Sequence, residues 1–117
     1  MLKKNLRLRK DIAFSATFRL RNCKSNDFLT IYKGKEKTED TIPTKVGIVV
    51  SKKIHKRAVK RNKIKRRLRE IYIEALKTGT ASNLQNALSV VFIARSKTLD
   101  TDFHTLKEQV FNLIKEF

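Results

Sequence analysis

The chain is 117 residues long and 40% hydrophobic, which suits one domain with a modest buried core. Lysine and arginine number 28 against 11 acidic residues, so the formal net charge at pH 7 is +17. Charge repulsion of this size destabilises a fold unless a polyanionic partner neutralises it. The balance therefore disfavours a secreted scaffold, a membrane-spanning protein and an enzyme that acts on small neutral substrates.

The positive charge is concentrated in the middle of the chain. Residues 41–70 hold 12 basic side chains and one acid, Glu70, whereas residues 71–117 hold five of each sign. The first 40 residues hold 11 basic and five acidic side chains. We therefore expect the middle segment to carry the interaction surface.

Cysteine content and hydropathy indicate a reducing compartment, and we expect the protein to be cytoplasmic. Cys23 is the single cysteine, so an intrachain disulfide cannot form. The basic start of the chain is not followed by the apolar core of a signal peptide. The longest apolar run, at 90–94, is too short to cross a bilayer.

The first half of the chain predicts a helix followed by two strands. Asp11 is a good helix-start residue, and Phe14 and Phe18 are one helical turn apart, which favours a helix over the strand that the spacing also allows. Two later segments are rich in β-branched and aromatic residues, as strands are. The predicted segments are a basic arm at 1–10, a helix at 11–20, a strand at 27–33, a loop at 34–43 and a strand at 45–51.

The second half predicts a long helix, a third strand and a last helix. Gly79 is a suitable stop for the long helix, and Asp100 or Thr101 is a suitable cap for the last one. The predicted segments are a helix at 58–77, a loop at 78–85, a strand at 87–94 and a helix that ends at 117. The order α-β-β-α-β-α, with room for one further short strand, defines a small single-domain α+β sandwich that spans residues 1–117.

The long helix has a basic side opposite its apolar stripe. The stripe comprises Ile64, Leu68, Ile71, Tyr72 and Ala75. Asn62, Lys65, Arg66 and Arg69 fall together on the other side, with Arg61, Lys63 and Arg67 beside them. A solvated charged face is the ordinary interpretation of such a pattern, but acidic partners at i+4 are absent here apart from Glu70, four residues after Arg66. We therefore predict a helix that contacts nucleic acid, in which arginine supplies planar phosphate contacts.

An aromatic set offers a second surface. Phe14 and Phe18 share one face of the first helix, while Thr30 and Tyr32 share one face of the first strand. Aromatic platforms beside positive charge are typical of single-strand binding, although the two phenylalanines could equally be core residues. Lys52 and Lys53 close the second strand and could either touch phosphate or be solvated.

The sequence offers no convincing catalytic group or metal site. His55 and His104 are far apart in the chain, and Cys23 has no evident base beside it. Neither the Cys/His spacing of metal sites nor a glycine-rich phosphate loop occurs. We expect no catalytic side chain and no protein-bound metal.

Four segments resemble the bacterial ribonuclease P protein subunit family. Residues 46–53 (VGIVVSKK) followed by 61–69 (RNKIKRRLR) are similar to its strand and basic-helix signature. The opening at 7–10 (RLRK) with Phe14 and Phe18, and the late 92–95 (FIAR), also match the family in order. The linker at 54–60 departs from the family pattern, because it lacks a glycine and is one residue longer, which leaves the start of the basic helix open.

The resemblance implies a fold and a division of surfaces. The fold would be a central sheet with a left-handed β-α-β crossover, like the second domain of ribosomal protein S5. The basic helix would dock on the catalytic RNA subunit, and a cleft would hold the 5′ leader of precursor tRNA. The RNA subunit with its bound Mg²⁺ would cleave the phosphodiester, so the endoribonuclease is the holoenzyme. The implied RNA-subunit contacts are Arg61, Asn62, Lys63, Lys65, Arg66 and Arg69, and the implied leader contacts are Phe14, Phe18, Thr30, Tyr32, Lys52 and Lys53.

Other classes fit the sequence less well. A ribosomal or other structural RNA-binding protein would share the size and charge. A DNA-binding helix-turn-helix needs a second helix beside the basic one, but strands flank it here. Membrane-surface binding needs apolar residues opposite the basic side, yet Ile64 and Leu68 are required in the core. We therefore expect RNA partners and neither DNA nor a membrane.

Overall fold

A computed structural model describes residues 3–117 and contains three α-helices and one four-stranded sheet. Short 3₁₀ turns occur at Lys4–Leu6, Thr80–Leu84 and Ser96–Leu99. The longer elements are α1 (Asp11–Arg19), β1 (Cys23–Ser25), β2 (Leu29–Lys33), β3 (Lys45–Val49), α2 (Ala58–Thr78), β4 (Ser89–Ala94) and α3 (Phe103–Ile114).

The strand order in the sheet is β1-β2-β4-β3. β1 pairs with β2 and β2 with β4 in antiparallel fashion, whereas β3 and β4 are parallel and α2 connects them. The predicted order α-β-β-α-β-α is thereby confirmed, and β1 is the further short strand. The left-handed sense of the β3–α2–β4 crossover stays a prediction.

The core lies between one face of the sheet and helices α2 and α3. Ile31 and Phe92 are opposite each other in neighbouring strands and are fully buried. Leu68 and Tyr72 of α2 are also buried in this core, and the Tyr72 ring meets that of Phe92 edge-to-face at 5.7 Å. Burial raises the pKa of the Tyr72 hydroxyl, which accepts a hydrogen bond from Gln85 Nε2 at 2.9 Å. The predicted apolar stripe of α2 is thus its buried side.

Helix α2 keeps the predicted limits to within one residue. It begins at Ala58, and Gly79 follows its last residue in the left-handed conformation at φ 79°. Glycine adopts this conformation without steric cost, so it stops the helix as expected. The start left open by the long linker is therefore resolved at Ala58.

The last helix begins later than predicted. The residues that precede α3 form a 3₁₀ turn at Ser96–Leu99. The helix therefore begins after this turn, with Asp102 at its N-cap. The predictions of a cap at Asp100 or Thr101 were therefore wrong by one or two residues. The predicted loop at 78–85 likewise contains the 3₁₀ turn Thr80–Leu84.

The predicted basic arm runs along the outer edge of β3. The backbone N–H of Leu8 donates to the Val46 carbonyl at 2.9 Å, and the Leu8 side chain is buried. Residues 1 and 2 of the arm lie outside the described residues. Leu8 therefore ties the described part of the arm to the sheet.

Candidate nucleic-acid interface

Helix α1 lies against the sheet face that α2 and α3 leave uncovered. Thr17 of α1 is buried, and its Oγ1 is hydrogen-bonded to Ser89 Oγ of β4 at 2.5 Å. This buried contact fixes the helix across the sheet, because both hydroxyls find a partner there. The phenylalanines of α1 are thereby held above the neighbouring strands.

Three aromatic rings meet under α1. The centroids of Phe14 and Phe18 are 6.4 Å apart, and those of Phe18 and Tyr32 are 5.0 Å apart in an edge-on arrangement. All three side chains are half-buried, so each ring packs against the protein and still presents part of its surface. The cluster therefore satisfies both earlier interpretations of the phenylalanines, as packing residues and as accessible platforms.

Gly47 of β3 provides the space that the Phe14 ring occupies. A Cβ at position 47 would lie 2.5 Å from Phe14 Cζ, a distance that real Cβ atoms essentially never show. Glycine in the interior of a strand weakens it, and one reason for its presence is such close approach. Gly47 thus sets how deeply α1 sits on the sheet.

We expect Gly47→Ala to displace Phe14 and to disturb the aromatic cluster. Overpacking of this kind costs about 1–3 kcal/mol of unfolding free energy, measurable by urea denaturation. The double variant Gly47→Ala/Phe14→Ala should recover part of that loss relative to the sum of the single variants. Strict additivity of the two single changes would show that the glycine serves another purpose.

A row of half-buried side chains continues the cleft beyond the aromatic rings. Thr30 of β2 pairs with Ile93 of β4, which pairs with Val49 of β3, and all three are half-buried. Ser25 of β1 extends the row, because its Oγ lies 2.9 Å from Thr30 Oγ1. We define the aromatic cleft as Phe14, Phe18, Thr30 and Tyr32 with Ile93 and Val49.

Cations follow two of the strands that line this cleft. Parallel strands end at the same edge of a sheet, so the residues that follow β3 and β4 leave the sheet at one common edge. Lys52 and Lys53 follow β3 and are exposed, and Arg95 follows β4. The Arg95 guanidinium donates from Nη1 to the Asn26 carbonyl at 2.8 Å and to Ser25 Oγ at 3.3 Å.

Ser25, Val49, Ile93 and Arg95 were missed by sequence reasoning. Ser25 lies in a three-residue strand whose side chains are all exposed, so alternation gave no signal. Val49 and Ile93 look like ordinary strand residues until the pairing with Thr30 is known. For Arg95, the available signals were its place directly after a strand and its position in the family-like segment 92–95.

The basic face of α2 forms a separate surface. We use this name for Arg61, Asn62, Lys63, Lys65, Arg66 and Arg69. Asn62, Lys63 and Arg66 are exposed, whereas Arg61, Lys65 and Arg69 are half-buried. Within residues 3–117, the two ion pairs found join Lys97 to Asp27 and Lys107 to Glu74, so neither involves this face.

The N-terminus of α2 adds to the positive potential. Arg57 stands at the N-cap, no side chain caps the helix there, and the first turn contains no acid. A helix N-terminus carries a partial positive charge, so acids are the stabilising residues at this position. The sequence places cations there instead, which lowers helix stability and favours an anionic ligand.

Arg61 and Arg67 make contacts within the protein. Arg61 Nη1 donates to the carbonyls of His55 and Lys56 at 2.9 and 2.7 Å. Arg67 Nη1 donates to the Thr101 carbonyl at 3.1 Å, which directs this side chain toward the start of α3. The basic face therefore contains one member, Arg61, whose guanidinium is already engaged.

The histidine, cysteine and acidic side chains of residues 3–117 do not form a metal-binding cluster. In the part of the chain that the structure describes, no three His, Cys, Asp or Glu side chains group closely enough to hold a metal ion. His55 is half-buried and its Nδ1 accepts from the Arg57 backbone N–H at 3.0 Å, while Cys23 is exposed on β1. The pKa of the Asp102 carboxyl is lowered chiefly by a hydrogen bond from the Thr105 side chain.

Among residues 3–117, no helix is both long enough and apolar enough to cross a membrane.

The fold and its two surfaces, an aromatic cleft and a separate basic helix, define a small α+β protein of the nucleic-acid-binding class. The family model of ribonuclease P matches residues 2–117. The chain belongs to the ribonuclease P protein family and is a component of a tRNA-processing endoribonuclease holoenzyme, a ribonucleoprotein.

Relatives and solved structures agree with this assignment. The ribonuclease P protein component of Clostridium novyi is 36% identical over 115 residues, which cover 97% of this chain and 95% of that protein. The component of Caldanaerobacter subterraneus is 35% identical over 116 residues, with coverages of 99% and 92%. The structure of the Thermotoga maritima RNase P protein matches with a TM-score of 0.77 at 29% identity, covering 95% and 96% of the two chains. The Staphylococcus aureus RNase P protein matches with a TM-score of 0.74 at 25% identity, covering 95% and 94%.

Proposed function

We propose that this protein binds the catalytic RNA subunit of ribonuclease P through the basic face. We propose also that it binds the 5′ leader of precursor tRNA through the aromatic cleft. The two surfaces differ in chemistry, since one is a cationic helix and the other is an aromatic groove. A folded RNA presents dense phosphate, and a single strand presents unstacked bases. The division of surfaces in this protein suits that division of ligands.

The charge arrangement of α2 supports docking on the RNA subunit. Lys63 and Arg66 are exposed on the basic face, and neither of the ion pairs found among residues 3–117 involves them. Crowded like charges repel one another, and the uncapped N-terminus adds to the cost. Bound phosphates would remove both costs and release counterions, which favours complex formation.

The aromatic cluster supports binding of the leader. Stacking on aromatic rings tolerates any base, because every base has a π-face. Phe18 and Tyr32 stand close together and half-buried, so they offer ring surface with little loss of side-chain freedom on binding. The hydroxyl of Thr30 lies further along the cleft, and Lys52 and Lys53 follow at its cationic end. We assign these two lysines to leader phosphates.

We assign bond cleavage to the RNA subunit and binding to the protein. In this proposal Mg²⁺ is held mainly by the RNA subunit, and protein side chains do not carry out the hydrolysis. The protein would raise the affinity for precursor tRNA, and its positive charge would screen phosphate repulsion and so lower the Mg²⁺ concentration that the complex needs. The assembly would work in the cytoplasm, with the RNA subunit and precursor tRNA as partners and without DNA or membrane contacts.

The assembled ring cluster, on a surface separate from the basic helix, is the observation that carries this proposal. Reconstitution tests it directly: the purified protein is added to a bacterial ribonuclease P RNA, and cleavage of precursor tRNA is followed at low Mg²⁺. We expect strong stimulation of cleavage and release of the mature 5′ end.

A matched substrate series separates the two surfaces. Precursor tRNAs with and without a single-stranded leader are compared in binding to the reconstituted complex, and we expect the protein to favour the leader-bearing form. Absence of stimulation, together with tight binding to ribosomal RNA, would instead indicate a structural RNA-binding protein without a nuclease role.

A further inference from the structure

The segment between β3 and α2 concentrates exposed positive charge in a short turn. We call residues 51–57 the lysine loop. It contains no glycine or proline, and its cations are all exposed: Lys52, Lys53, Lys56 and Arg57. Repulsion among them would favour an open, mobile segment, so its shape depends on specific contacts.

Three local hydrogen bonds shape the lysine loop. The Ile54 N–H donates to the Ser51 carbonyl, and the Lys53 N–H donates to Ser51 Oγ, both at 3.0 Å. At the other end, the Arg57 N–H donates to His55 Nδ1 at 3.0 Å, which requires the Nε2–H tautomer of the imidazole. These bonds hold the two ends of the loop, and another group contacts the residues between them.

That group is the Arg61 guanidinium, one turn into α2. Both hydrogens of its Nη1 are used, on the His55 carbonyl at 2.9 Å and on the Lys56 carbonyl at 2.7 Å. Charge-assisted bonds of this kind are stronger than neutral ones. The side chain is half-buried and folds back onto the two loop carbonyls.

We propose that Arg61 is a positioning residue: its guanidinium clasps the lysine loop through two hydrogen bonds and so places Lys52 and Lys53 at the end of the aromatic cleft. This inference rests on the proposed function, since it assumes that the leader lies in that cleft. It gives Arg61 a different role from the direct RNA-subunit contact that the sequence predicted. The other members of the basic face keep that role.

Arg61→Ala tests the clasp, with Arg66→Ala as the matched loss of one arginine. For binding to the RNA subunit, we expect Arg61→Ala to leave the slope of log K against log salt unchanged, whereas Arg66→Ala lowers it by about 0.7–0.9. For precursor tRNA, we expect Arg61→Ala in the holoenzyme to raise KM about tenfold with kcat retained, the order of one lost charge-assisted bond.

Two further variants separate positioning from folding and from charge. Arg61→Lys keeps the charge but is about one bond too short to reach both carbonyls, so we expect it to raise KM like Arg61→Ala. His55→Asn keeps an acceptor for the Arg57 N–H, and we expect it to bind leader-bearing substrate better than His55→Ala does. Thermal unfolding of each variant shows whether it is folded at the assay temperature.

Non-additivity completes the test. In a Lys52→Ala/Lys53→Ala background, the clasp has nothing to position, so Arg61→Ala should add little to the rise in KM. The positioning role of Arg61 would be overturned by a lowered salt slope for Arg61→Ala. It would also be overturned if Arg61→Ala raised KM in the double-lysine background as much as it does in the wild type. Wild-type holoenzyme that does not distinguish leader-bearing from mature tRNA would instead overturn the proposed function, so the two failures are distinguishable.

Discussion

We expect Arg66→Ala to weaken assembly of the protein with the catalytic RNA subunit and to make that assembly less sensitive to salt. Arg66 is exposed near the centre of the basic face, and its guanidinium can make a bidentate phosphate contact there. Each lost phosphate contact reduces the slope of log K against log salt by about 0.7–0.9. Over a fourfold rise in salt, the wild type should therefore lose about threefold more affinity than the variant.

A control with the same charge change distinguishes a local contact from net charge. Lys77 is exposed in the last turn of α2, 11 residues from Arg66 on the same helix. Lys77→Ala should leave the salt slope close to that of the wild type, because exposed charges separated by more than a Debye length are largely screened. Filter binding or fluorescence titration at three or more salt concentrations gives both slopes. Equal slopes for wild type and Arg66→Ala would contradict docking through the basic face.

The limits of α2 were predictable from sequence because two independent signals agree. Its apolar residues repeat with helical spacing over several turns, and they face the core as expected. Gly79 ends the helix in the left-handed conformation, which glycine adopts without the steric cost that a residue with a side chain would have. Where α3 begins was less predictable, since Asp100, Thr101 and Asp102 are all suitable N-cap residues. The choice among them depends on the 3₁₀ turn before them, which is a matter of tertiary packing.

The aromatic cleft was predictable only in part. Spacing alone placed Phe14 and Phe18 on one helical face and Thr30 and Tyr32 on one strand face. Their assembly into one cleft depends on where α1 lies on the sheet, and that position depends on Gly47, whose missing side chain leaves room for a ring.

Side-chain direction is what the sequence could not supply for the basic face. Helical periodicity places Arg61 beside Lys65 and Arg66, and it treats all long cations alike. The structure has Arg61 folded back onto two carbonyls and Arg67 turned toward Thr101. Which partner a flexible arginine takes is decided by backbone carbonyls from other parts of the chain, and these are known only from the fold.

We expect Phe18→Ala to weaken binding of leader-bearing precursor tRNA to the holoenzyme and to spare mature tRNA. Phe18 contacts both neighbouring rings, with centroids 6.4 Å from Phe14 and 5.0 Å from Tyr32, so it is the central platform of the cluster. Loss of one base–aromatic stack costs about 1–3 kcal/mol, or a fivefold or larger loss of affinity. Equilibrium binding of the two tRNA forms to the same holoenzyme preparation measures the difference.

The packing role of Phe18 must be separated from its contact with the leader, because the ring is half-buried. Phe18→Leu keeps an apolar side chain under α1 but has no π-face, so we expect it to retain most of the unfolding free energy and still lose leader affinity. Tyr32→Phe keeps the ring and should bind like the wild type if stacking dominates. If Phe18→Ala reduced affinity for precursor and mature tRNA equally, Phe18 would be a packing residue, because only the precursor carries the strand that the cleft is proposed to hold.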